Sequence, residues 1–118
     1  MGKGFLKNNP AANAWFKQGD YNAGFIQLLT ASNEGGKRNK GVLVRRASAY
    51  NMANPGDWPK IDKVEMSEGG GMAVKFTGNM DAVNPRMRSL IGDDGWMLVK
   101  HNKEGSKHVR SKAGIVDL

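Results

Sequence analysis

Five cations crowd one glycine-bracketed stretch, Lys37, Arg38, Lys40, Arg45 and Arg46, with Glu34 as their nearest acid. A second group lies towards the C-terminus: Lys100, Lys103, Lys107, Arg110 and Lys112 beside Glu104, where His101 and His108 add charge in mild acid. Ammonium and guanidinium groups at this density attract phosphates, and an exposed ring beside them stacks on a base for about 1–3 kcal/mol. The chemistry expected of them is polyanion binding. Lys37, Arg38, Lys40, Arg45, Arg46, Lys100, Lys107 and Arg110 are the expected phosphate contacts. Tyr50, in step with Arg46 on an extended reading, and Trp58, in a loop between Asp57 and Pro59, are the expected stacking rings.

Single-stranded DNA or RNA is the favoured partner, without strong sequence specificity. The chain has neither zinc-finger spacing nor a long basic segment fit to be a recognition helix. Two other readings compete. One is a structural subunit of a virion or filament that forms homo-oligomers, its seven methionines supplying adaptable apolar contacts. The other is a small inhibitor or accessory factor that sits on a larger protein.

Covalent chemistry has little to work with. There is no cysteine, so thiol nucleophiles and thiolate metal sites are excluded. The run GGGMAVK lacks the spacing of a phosphate loop, and no G-x-S-x-G marks a serine nucleophile. His101 and His108 have no recognisable third ligand, and Asp93 and Asp94 read as a turn. The expectation is no catalytic residue and no enzymatic activity, with no metal, cofactor or small-molecule substrate.

The elements that must position these groups are short. The 118 residues carry a net charge of +7 and fit one domain over 1–118, with 1–9 as a flexible arm and 111–118 as a flexible tail. Sixteen glycines exceed the usual share and imply many turns. No apolar run reaches the about 18 residues of a membrane span or has the pattern of a signal peptide, so a cytoplasmic or virion-packaged protein with no membrane partner is expected.

Asn9-Pro10 and Asn84-Pro85 predict two short helices, ending near Gly19 and Gly92. GFIQLLT at 24–30 is apolar on both parities, as a central strand would be, and GVLVRRASAY at 41–50 is its expected partner. IDKVEM and GMAVKFT flank SEGG as a hairpin. In its register Met66 faces Met72 and Val64 faces Val74, with Lys63, Glu65, Lys75 and Thr77 on the other face. A last hairpin pairs WMLVKH with SKHVR and sets Lys100 opposite Lys107, a like-charge conflict that a bound phosphate would relieve. The fold class expected is mainly β or α+β: a curled antiparallel sheet or barrel of five to six strands, of the oligonucleotide-binding type, with one or two short helices.

Overall fold

The computed structural model describes residues 9–30, 33–34, 37–38, 40–67, 70–100 and 114–118. Helix α1, Pro10–Lys17, starts at proline, whose missing N–H costs nothing in a first turn. It stops at Gly19, which has φ +82°. The Gly19 N–H donates to Phe16 O (3.0 Å) and the Asp20 N–H to Trp15 O (3.1 Å), satisfying the last carbonyls. Helix α2, Tyr21–Leu29, follows at once, and its first turn is capped by Asp20 Oδ1, which accepts from Ala23 N–H at 3.0 Å. The two helices approach closely because Gly24 has no side chain. A Cβ there would lie 2.7 Å from the Phe16 ring.

Strands β1 (Asn33–Glu34) and β2 (Lys37–Arg38) form a two-rung antiparallel pair, and α3, Lys40–Ala53, comes next. The segments 24–30 and 41–50 are therefore helical, not the expected pair of strands. The cause lies in their burial. In α2 the residues Ala23, Ile26, Leu28 and Leu29 are all buried, so the helix is apolar around most of its circumference and shows no polar stripe. In α3 the buried set Val42, Leu43, Ala47 and Tyr50 repeats at helical spacing, and tertiary packing outweighs the strand preference of its valines.

The main sheet has the order β5-β4-β3-β6, antiparallel throughout, from β3 (Lys60–Met66), β4 (Met72–Thr77), β5 (Trp96–Lys100) and β6 (Ile115–Asp117). It is an open α+β sheet with a few short helices, not a closed barrel. The β3–β4 hairpin has the expected register, Val64 opposite Val74 and Met66 opposite Met72. An irregularity between Ile61 and Lys63 brings Ile61 opposite Phe76, so both fall in the core. That core joins one sheet face to Ile26 and Leu29 of α2, to Leu43, Ala47 and Tyr50 of α3, and to Val83, Met87 and Ile91. The second Asn-Pro entry behaves as expected: Asn84 Oδ1 accepts from Arg86 N–H (2.8 Å) at the start of the short helix α4, Pro85–Arg88.

Side chains from α3 and β6 bind β3 at two points. Asn51 of α3 bonds both backbone groups of Ile61, donating from Nδ2 to the carbonyl (2.7 Å) and accepting at Oδ1 from the N–H (2.8 Å). Lys63 stands opposite Lys75, and the Asp117 carboxylate of β6 meets the Lys63 ammonium at 2.6 Å. That hydrogen bond raises the Lys63 pKa above its ordinary value and relieves the like-charge pairing. The C-terminal residues 115–117 are thus a strand of the sheet, although the sequence reads as a tail. The Leu118 N–H donates to Asp62 O (2.9 Å).

Candidate functional site

A cleft of about 450 Å³ opens where the α1–α2 turn meets the loop before β3. Such a volume lies within the range of small-ligand sites, about 300–1,000 Å³. Its lining comprises Gln18, Asp20, Tyr21 and Asn22 on one side, Pro55 and Trp58 on another, and Ala82 of the 3₁₀ turn Met80–Ala82.

Local hydrogen bonds fix each wall. Asp20 Oδ2 accepts from Asn84 Nδ2 (3.0 Å), which ties the α1–α2 turn to the start of α4. In the segment NPGDW, Asn54 Oδ1 accepts from the N–H groups of Gly56 (2.8 Å) and Trp58 (3.3 Å), and its Nδ2 donates to Trp58 O (2.8 Å). Gly56, at φ +99°, makes the turn that this side chain closes. Trp58 then leans on Phe25 and Tyr50, with ring centroids 6.2 and 5.5 Å away. The Tyr21 ring is 57 % exposed.

The floor is Asn22, which is buried and donates from Nδ2 to the Tyr50 hydroxyl (3.0 Å). Tyr50 spends its one proton on Pro59 O at 2.7 Å, so towards Asn22 it presents a lone pair and the amide must offer its NH2. Asn22 Oδ1 is thereby turned away from the hydroxyl, buried and without a hydrogen-bond partner among the described residues. Burial pushes the Tyr50 phenol well above its ordinary value, and the Asn22 hydrogen bond opposes this only in part.

The residues expected to contact phosphate fall on several different elements. Arg45 is exposed on α3, and Arg46 beside it is half-buried with Nη1 donating to Leu28 O at 3.3 Å. Burial lowers the Arg46 pKa, and neighbouring Arg45 adds to the effect. Lys40 begins α3, which packs on β3, whereas Lys100 ends β5, two strands further along the sheet. Lys37 and Arg38 belong to β2, but their side chains lie outside the described residues, as do Lys107, Arg110 and the hairpin expected to hold them. Tyr50 is fully buried and offers no face for stacking, a correction that follows from its place in the helical period of α3. Trp58 is half-buried and lines the cleft.

Sequence reasoning missed Asp20 and Asn22. The signal was Gly19-Asp20, a helix stop followed directly by a capping residue. It also read Glu65 as solvent-facing; the residue does sit on the sheet face away from Val64, yet it is fully buried.

No family model matches the chain, and no solved structure does. Over its whole length the chain is similar to a protein of Enterobacteria phage SP6 named peptidoglycan hydrolase gp36, at 45 % identity over 121 aligned residues. It spans 12 % of that protein's length. This finding overturns the expectation of a nucleic-acid-binding protein without enzymatic activity. The relative is named for a cell-wall polymer and for its hydrolysis, so DNA or RNA no longer stands as the partner, nor does the absence of an enzymatic role.

Proposed function

We propose that this chain acts within a phage peptidoglycan hydrolase, where it engages the cell-wall polymer for degradation. The 45 % identity to the phage SP6 protein across the full chain carries this reading. The cleft supports it chemically. Peptidoglycan is built of sugars, whose C–H faces pack against aromatic rings and whose hydroxyls need fixed donors and acceptors. Trp58 and Tyr21 supply the rings, and Gln18, Asp20 and Asn22 supply polar groups.

Glycoside cleavage uses two carboxyl groups flanking the scissile bond. The carboxylate that this lining supplies is Asp20, whose two oxygens are engaged by Ala23 N–H and Asn84 Nδ2 and keep lone pairs for sugar hydroxyls. Such an arrangement suits gripping a glycan. The net charge of +7 adds long-range attraction, because the stem peptides of the polymer carry free carboxylates.

Incubation with purified sacculi, followed by sedimentation and analysis of released fragments, tests the proposal. The expected result is co-sedimentation that weakens as salt rises. A chain that stays in the supernatant at low salt and releases no soluble fragments would overturn it.

A further inference from the structure

We propose that the sheet face turned away from the helices is a docking surface for an acidic amphipathic helix of a partner chain. This surface is separate from the cleft, and its partner is not the cell-wall polymer. Val64, Val74 and Met97 point into the core, so the residues that alternate with them along each strand point outward. One outward rung crosses the whole sheet: Trp96 on β5, Lys75 on β4, Lys63 on β3 and Asp117 on β6. The rung on one side of it pairs Lys60 with Thr77, both exposed. The rung on the other side carries Leu98, and the bridge between Ile91 and Met97 sets Leu90 beside it. Glu65 and Ala73 of that rung are buried and bound the open area.

Two kinds of group meet there. Leu90 is 54 % exposed and Leu98 39 %, next to the half-buried Trp96, and apolar side chains exposed together within a charged rim mark an interaction site. Beside them stand three lysines. Lys63 meets Asp117, whereas Lys60 and Lys75 form no ion pair among the described residues. Lys63 and Lys75 are direct cross-strand neighbours, a like-charge pairing that Asp117 relieves from one side only. A carboxylate placed above Lys75 relieves it from the other.

Sheets bury their faces under helices, as α2 and α3 do on the core side. A helix with apolar residues at i, i+3 and i+4 covers Leu90, Leu98 and Trp96, and carboxylates along one flank reach Lys60, Lys63 and Lys75. A second copy fits less well, because two such faces related by a two-fold axis set lysines against lysines in the middle of the rung. An anionic bilayer also fits less well. Asp117 stands at one end of the rung, and Asp93 and Asp94 are exposed in the turn before Trp96 at the other, so carboxylates at both ends would face lipid phosphates.

The test is fluorescence anisotropy with the full chain and a labelled synthetic helix, about 21 residues and roughly 31 Å long, repeating Leu-Glu-Glu-Leu-Leu-Glu-Gln. A scrambled peptide of the same composition and phosphatidylglycerol vesicles are measured beside it. The acidic helix should bind at least about tenfold more tightly than the scrambled one, and less tightly as salt rises. Lys75→Glu and Leu98→Ser should each weaken it about tenfold, the scale of one close charge pair or one buried leucine. Leu90→Ser replaces Leu98→Ser if the latter lowers the unfolding midpoint. Amide shift changes on adding the helix should centre on β4 and β5. Absence of binding at low salt, equal affinity for the two peptides, shift changes confined to α1 and α2, or tighter binding to the vesicles would each overturn the assignment.

Discussion

Removing the Tyr50 hydroxyl isolates the link between core and cleft. Tyr50→Phe keeps the ring that packs on Trp58 and on Phe76 (5.7 Å between centroids) but deletes one donor and one acceptor. Pro59 O and Asn22 Nδ2 then lose their partner inside the protein. An unsatisfied buried polar group costs about 1–3 kcal/mol, and Asn22, at the cleft, recovers part of its share from solvent. The expected loss is about 2–4 kcal/mol, a large fraction of the roughly 5–15 kcal/mol by which such domains are stable. At about 4 °C per kcal/mol for a domain of this size, the midpoint should fall by about 8–16 °C. Urea and thermal unfolding, followed by tryptophan fluorescence and circular dichroism, measure it. A variant within about 0.5 kcal/mol of the parent, with the same dependence on urea, would refute the account of the Asn22–Tyr50–Pro59 relay.

Other consequences can be checked with the same instruments. Burial holds the Tyr50 phenol protonated in the folded chain while the unfolded phenol ionises near pH 10, so stability falls as pH rises through about 10. The gap between the parent and Tyr50→Phe should narrow there by up to about 1.4 kcal/mol per pH unit. Asn54→Ala removes three hydrogen bonds from the loop carrying Trp58, and should cost about 1–2 kcal/mol and raise acrylamide quenching of tryptophan. Gly95→Ala puts a Cβ 2.5 Å from Phe76 O at a residue with φ +86°, and should destabilise by about 2 kcal/mol or more in urea titration. Asp20→Ala takes the cap from α2 and the tie from Asn84, and should cost about 1–2 kcal/mol by the same titration.

Local grammar was legible where one residue decides the outcome. Both Asn-Pro entries mark real helices, and alternation along IDKVEM and GMAVKFT fixes the hairpin register down to Val64 opposite Val74. The α2 and α3 segments misled because their surroundings, not their propensities, decide. A helix buried on several sides shows the same unbroken apolar run as a central strand. The spacing of Leu43, Ala47 and Tyr50 was helical all along, but the β-branched start of that segment masks it. The cleft was not legible, since Asn22 and Trp58 meet only when α2 packs beside the loop before β3. The charge clusters drew attention for a sound reason, the field they create, but charge names a class of polymer and not its chemistry.

The side chain of Asn51 reproduces, with a single amide, the two contacts that a neighbouring strand would make with Ile61. Where β6 has run out, at the level of Lys63, this plug covers rungs that would otherwise be open to another polypeptide. That stretch of β3 is thereby closed to strand addition by a second copy, while β5 and β6 remain the outer strands of the sheet.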